Sequence, residues 1–294
     1  MNVYTSGAKH WSGQLDRIEA GFQQLGHEIV EDPVAADLVY FNNGEYKRLD
    51  TKAKHIFACL DVPSHLLPHF DLNGLKQELS QADAVCSISK FVQWQLQHYL
   101  GLDSTVVYQP IKPVHRIPSF QLDRGTPLFA QIGRRQDSNK RAHLAVEAIR
   151  LLGLTPQHLL LVGSEPMYGG EWCGIVSDEG LNAVYHSVDF VFTLGLVEGL
   201  SLPTIESMAA GVIPIVCSDM TTRTELLPPD LFPEYNDVQP NAKSIADFIR
   251  RFTSNPVSMQ SMKDRLYNHY QTNLAQHFTG KAVAEKIIGV YNTL

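Results

Sequence analysis

The stretch Glu198-Gly-Leu-Ser-Leu-Pro203-Thr-Ile-Glu206-Ser-Met-Ala-Ala-Gly211-Val-Ile-Pro214-Ile-Val-Cys-Ser-Asp219 sets two carboxylates eight positions apart. Pro203 can start a helix, because proline fixes φ near the helical value and lacks only an N–H that a first turn cannot use. Glu198 then lies in a loop and Glu206 inside the helix, which Gly211 stops. The amides of Gly199, Leu200, Ser201 and Leu202 are expected to point at an incoming ligand, with the positive end of the helix behind them. That suits a phosphate, whereas carboxylates suit sugar hydroxyls, from which they accept hydrogen bonds. Spacing alone would not separate this pair from two unrelated surface carboxylates. The flanks do: Val188-Asp-Phe-Val-Phe-Thr193 before it and Val212-Ile-Pro-Ile-Val-Cys217 after it read as buried strands. Together they form a βαβ unit whose loop lies on the ligand side of a parallel sheet.

Outward from there, strands and helices alternate. Upstream, Asn2-Val-Tyr-Thr-Ser, residues 27–30, 37–41, 55–60, 84–88 and 105–108 predict short strands. Leu15, Ile18, Phe22 and Leu25 mark one helix, and Phe91, Trp94, Leu96 and Tyr99 another. A proline-bearing stretch at 116–126 is the expected linker, between a domain over 1–115 and one over 127–277. The second domain opens with Pro127-Leu-Phe-Ala-Gln-Ile132, a helix over 141–152 and the strand at 158–162. Helical patterns follow at 242–253, 259–272 and 279–294.

The chain has 294 residues, 44% hydrophobic and 19% charged, with a net charge of −7. These values describe an ordinary globular protein large enough for two α/β domains. The acidic balance argues against a dedicated nucleic-acid or lipid-surface binder. Lys47-Arg48, Lys52 and Lys54-His55 form the one basic cluster, either solvated surface or a local patch for an anionic acceptor. Cys59, Cys86, Cys173 and Cys217 are scattered, with no C-x-x-C pair, so neither zinc nor a disulfide framework is indicated. The start lacks signal-peptide character and no apolar run reaches membrane-spanning length, so a cytoplasmic setting is expected.

The Glu-x7-Glu stretch in its βαβ context resembles the signature of retaining nucleotide-sugar glycosyltransferases of the GT-B fold, most like glycosyltransferase family 4. The resemblance implies an α/β protein of two Rossmann-like parallel-sheet domains facing a cleft. The last helix, 278–294, would return to the N-terminal domain. It further implies a co-substrate nucleotide sugar, UDP-sugar before GDP-sugar, and an acceptor that is a glycan, a small molecule or a modified nucleobase.

Gly133-Arg134-Arg-Gln-Asp-Ser-Asn-Lys140-Arg141 resembles the family's Gly-Arg…Lys element, in which Arg134 and Lys140 hold the diphosphate. No Asp-x-Asp occurs, so a metal-independent enzyme without a cofactor is implied. By the same match, Glu198 meets the donor sugar or the charge at its anomeric carbon, and Glu206 the ribose hydroxyls. Ile175 and Val176, in Gly174-Ile-Val-Ser177, fall where the family holds the nucleobase, a segment that also reads as an ordinary loop or edge strand.

The N-terminal half departs from the pattern. Gly13, beside Ser12, is the counterpart of a Gly-Gly loop. A histidine expected after the fourth strand is missing; Asp61 stands there and reads either as an acceptor-orienting group or as a turn former. His10 and His65 are lesser candidates, and Ser89 reads as a helix N-cap. These departures keep two other readings in view: a degenerate nucleotide-sugar or glycan binder, and a sugar-nucleotide 2-epimerase of the same fold.

Overall fold

The computed structural model describes residues 1–7, 13–42, 46–62, 70–112, 114–116, 127–133, 137–164 and 169–294. The chain divides into two compact units, Met1–Ile111 with Gln276–Leu294, and Lys112–Ala275.

The first unit carries six strands: β1 Asn2–Gly7, β2 Glu28–Ile29, β3 Leu38–Asn42, β4 Lys54–Cys59, β5 Ala84–Ser87 and β6 Thr105–Val106. They form one sheet in the order β2-β1-β3-β4-β5-β6, every pair parallel. All five residues of β3 are buried, as are the last five of β4. Such strands read as continuous apolar runs because both sheet faces are covered. Helix α1, Gln14–Gln24, packs Leu15, Ile18 and Phe22 into that core. Helices α2, Leu72–Leu79, and α3, Lys90–Gln95, follow β4 and β5. The Ser89 hydroxyl caps α3, accepting from the Val92 N–H at 3.0 Å.

The second unit carries β7 Phe129–Ile132, β8 Leu159–Val162, β9 Glu171–Gly174, β10 Phe190–Thr193 and β11 Ile213–Val216. All pairs are parallel, in the order β11-β10-β7-β8-β9. The chain thus builds outward from β7 to β9, then returns to the other side of β7 for β10. That makes the β7/β10 boundary the topological switch point, where open α/β sheets bind ligands beyond the carboxyl ends of their strands. Helices α4 Ala142–Leu151, α5 Asp178–Ser187 and α6 Leu202–Ala210 are the crossovers beside it. From Thr204 to Ala210, α6 is buried at every position, which its small residues permit. The short helices α7 Arg223–Leu226 and α8 Phe232–Asn236 lead to α9 Ala242–Thr253 and α10 Pro256–His269.

The final helix, α11 Gly280–Tyr291, belongs to the first unit, as the family resemblance implies. Val283, Ala284 and Ile287 join the α1 core. The approach is close enough that a Cβ at Gly21 would overlap the Gly280 carbonyl, and one at Gly280 the Arg17 carbonyl.

The sequence analysis does not anticipate helices α5, α7 and α8, and three further elements depart from it. Helix α10 starts at Pro256 rather than 259, because Asn255 caps it, accepting from the Val257 and Ser258 amides at 3.1 and 3.2 Å. Helix α2 and strand β9 carry too little buried apolar surface to show a period: only Leu79 of α2 is buried, and three of the four β9 residues are exposed.

Candidate active site

Three loops of the second unit leave the carboxyl edge of its sheet side by side, after β7, β10 and β11. The β10 loop holds Glu198 and lies between the other two.

After β7, Gly133 has φ 120°, and a Cβ there would meet nothing within 4 Å. Arg134 lies outside the described residues. The chain then makes a 3-10 turn, Ser138–Lys140, capped by the Asp137 carboxylate, which accepts from the Asn139 N–H at 3.0 Å. Arg141 follows at φ 50°, the one non-glycine residue with positive φ among those described. That backbone is unfavourable for a side-chain-bearing residue. It is secured by a two-pronged pair, Arg141 to the Asp219 carboxylate at 2.9 and 2.7 Å, which reaches the loop after β11. This pairing, opposed by partial burial, holds the guanidinium pKa above its usual value.

Lys140 and Glu198 meet. The ammonium donates to both carboxylate oxygens, at 2.7 and 2.8 Å. The adjoining Asn139 grips the backbone of the same loop: its amide donates to the Val197 carbonyl at 2.8 Å and accepts from the Val197 N–H at 2.9 Å. From the other side, the Thr221 hydroxyl accepts from the Glu198 N–H at 3.0 Å and donates to the Glu198 carbonyl at 3.1 Å. Gly195 lets the carboxylate fold back over the loop, since a Cβ there would overlap the Glu198 side chain. One turn, one loop and the segment after β11 are therefore interlocked around Glu198. Neither Asn139 nor Thr221 emerges from the sequence, because their partners lie 58 and 23 positions away and no local period records them.

Glu206 is buried within α6. Its Oε2 accepts from the Tyr185 hydroxyl of α5 at 2.7 Å, and its Oε1 from the Lys112 N–H at 3.4 Å. The Lys112 ammonium pairs with Asp178, at the start of α5, at 3.0 Å.

The loop amides do not all face outward. The Leu202 N–H donates to the Leu200 carbonyl at 3.0 Å, so this tight turn, rather than a ligand, takes up that donor. Leu200 and Ser201 are themselves buried, with the Ser201 hydroxyl accepting from Thr204 at 2.8 Å.

The segment after β9 stands on the same sheet edge, across β7 and β8 from the Glu198 loop. There the Gly163 N–H donates to the Gly174 carbonyl at 3.0 Å. Ile175 is 81% exposed, Val176 packs against the core, and Ser177 caps α5 through the Gly180 N–H at 3.2 Å.

The remaining sequence candidates belong to the first unit. Gly13 caps α1 at φ 62°, a left-handed conformation that explains a glycine there. Asp61 stands two residues beyond the carboxyl end of β4, where its carbonyl accepts from the Cys59 thiol at 3.4 Å. His10 and His65 lie outside the described residues. Among those described, no cluster of histidine, cysteine and carboxylate groups could hold a metal ion, and no helix is long and apolar enough to cross a membrane.

No protein-family model matches the sequence, and no curated protein matches it either. Solved structures do. Sucrose-phosphate synthase from Thermosynechococcus elongatus aligns with a TM-score of 0.73 at 15% identity, over 100% of this chain and 98% of that one. Anabaena Alr3699/HepE in complex with UDP-glucose aligns with a TM-score of 0.70 at 13% identity, over 100% and 99%. WaaG, a glycosyltransferase involved in lipopolysaccharide biosynthesis, gives 0.65 at 11% identity, over 98% and 100%.

The fold is GT-B. At such identities the likeness carries the architecture alone, and the chemistry rests on the residues. In this GT-B chain, the β7/β10 switch point brings together a cation and a carboxylate, and a second carboxylate is buried in the adjoining helix.

Proposed function

We propose that the protein is a metal-independent, retaining glycosyltransferase that moves a sugar from a nucleoside-diphosphate sugar to an acceptor hydroxyl. The observation that carries this reading is the meeting of Lys140 with Glu198 at the switch point, with the flanking loops holding the backbone of Val197 and Glu198.

Sugar transfer from such a donor builds negative charge on the departing diphosphate, which needs a fixed positive group. Lys140 supplies a compact charge and Arg134 a planar fork of donors. Glu198 faces the sugar, accepting from its hydroxyls and stabilising positive charge at the anomeric carbon. Glu206 accepts from the ribose diol. Retention follows from same-face displacement: the anomeric C–O bond to phosphate breaks, the acceptor oxygen bonds from that side, and its proton passes to the leaving phosphate. Asp61 orients the acceptor hydroxyl.

UDP-sugars come first as donors, supported by the GT-B fold shared with a protein solved in complex with UDP-glucose, and GDP-sugars second. A thermal-shift panel of UDP, GDP, ADP and CMP with their common sugars, in EDTA, tests the reading. Stabilisation grows with ligand concentration over Kd. One nucleotide should stabilise the wild type but neither Glu206→Ala nor Arg134→Ala. Silence from all of them, in folded protein, sinks the donor site.

A further inference from the structure

A carboxylate buried in a helix is costly unless its charge is met by hydrogen bonds. Glu206 sits in that position, and the group on its Oε2 is Tyr185, itself fully buried. Tyr185 is placed by two constraints. Its ring belongs to the core cluster with Leu181, Val184 and Val191, so it cannot swing away from α6. At the other end of α5, Asp178 is tied to Lys112, whose N–H reaches Oε1 of the same Glu206. Helix α5 is thus registered against Glu206 at both ends.

We propose that Tyr185 is the positioning residue for Glu206, holding its carboxylate ionised and oriented to receive a vicinal diol. This rests on the nucleotide-sugar reading above. An ionised carboxylate accepts through both oxygens, which is the chemistry that a vicinal diol requires of its partner. The phenol serves only as a donor, because burial first, and then the charge and hydrogen bond of Glu206, raise its pKa well above the usual value. Without it, the carboxylate would take a proton more readily and lose the acceptor character that the diol requires.

Other ionisable groups on the elements around α6 have partners of their own. On α10, Lys263 pairs with Asp189, Asp264 with Arg116 and Arg265 with Asp230, and His269 bonds the Leu226 carbonyl. On α5, His186 bonds the His115 carbonyl, and the Glu179 carboxylate is stabilised by its own backbone amide and Ser177. After α10, Tyr270 faces Glu206, whose charge opposes its ionisation, second to burial and the neighbouring Tyr267.

The test is calorimetric titration with UDP-glucose, GDP-glucose and ADP-glucose at pH 8 and pH 6. These diesters carry no group that titrates in that interval. Wild type should bind one of them with affinities within about threefold at the two pH values. Tyr185→Phe should bind roughly tenfold more weakly at pH 8, the value of one hydrogen bond to a charged group. It should lose several-fold more at pH 6, a pH dependence that mere loss of packing would not create. Phe variant affinities equal to wild type at both pH values overturn the role of Tyr185 and leave the donor site standing. Absence of binding by wild type removes the nucleotide-sugar reading and this inference together. Should the Phe variant fail to fold, the wild-type profile still decides: a fall beyond tenfold between pH 8 and 6 would show that the carboxylate is not held ionised.

Discussion

Lys140 Nζ stands 2.7 and 2.8 Å from the two carboxylate oxygens of Glu198, a residue 58 positions later in the chain. The carboxylate side chain is only 11% exposed and the lysine 29%, so the pair is largely withdrawn from water. Removing the cation leaves a charge with poor access to solvent. Lys140→Met should cost about 1–2 kcal/mol of stability, less than a fully buried pair because the ammonium is partly solvated. It should also lower donor turnover by roughly 10²–10³, the usual effect of losing one preorganised group at a developing charge. In a double-mutant cycle with Glu198→Gln, the stability losses should sum to less than additive. Denaturant titration of the four proteins checks this, and strict additivity would mean the two groups are not coupled.

Asn139 and Thr221 hold the Glu198 loop by its backbone. Asn139→Ala and Thr221→Val each remove two of those hydrogen bonds. We expect kcat for donor consumption to fall between about tenfold and a hundredfold in each, the scale on which small misplacements act. Donor affinity should change much less. Thr221→Ser keeps the hydroxyl and should restore most of the rate. Steady-state kinetics under saturating donor separate the two effects, and a serine variant as slow as valine would rule out the clamp.

The contact between α1 and α11 is glycine against backbone. A methyl at Gly21 overlaps the Gly280 carbonyl, whereas one at Gly289, on the outer side of α11, meets nothing within 4 Å. Gly21→Ala should therefore destabilise the protein by about 2–3 kcal/mol through overpacking. Gly289→Ala should be neutral or stabilising by up to about 1 kcal/mol from helix propensity. Thermal melts of both variants discriminate; a similar melting temperature in the two would contradict the packing.

His55 is buried in β4, with Nδ1 3.0 Å from the Tyr46 hydroxyl and Nε2 3.3 Å from that of Thr51. Burial first, and then the charge of Arg48, lower its pKa from 6.5. The unfolded chain therefore binds a proton more readily than the native one below that value, and stability falls as the pH drops. His269 is shifted in the same direction, mainly by burial, and adds to the slope. His55→Gln should cost about 1–2 kcal/mol at pH 8 by disturbing two hydrogen bonds. Its melting temperature should then decline less than that of the wild type between pH 7 and pH 5. Scanning calorimetry at the two pH values checks the slopes, and equal slopes would remove His55 as a source of acid sensitivity.

The sequence by itself determined the elements whose burial is periodic or continuous. The βαβ unit around Glu198 and Glu206, helix α9 and the strands of both sheets other than β9 follow from apolar runs, Pro203 and Gly211, because backbone conformation and local burial are set within a few residues. It also singled out Lys140, Glu198 and Glu206, since few residue types can serve a diphosphate and a diol. Tertiary structure alone decided which of these meet. The return of the chain across β7 creates the switch point, and hydrogen bonds spanning 58, 23 and 21 positions bring Asn139 and Thr221 to the backbone of the Glu198 loop and Tyr185 to the Glu206 carboxylate. Such pairings depend on strand order and helix registration, which leave no periodicity in the chain and arise only once the sheet is assembled.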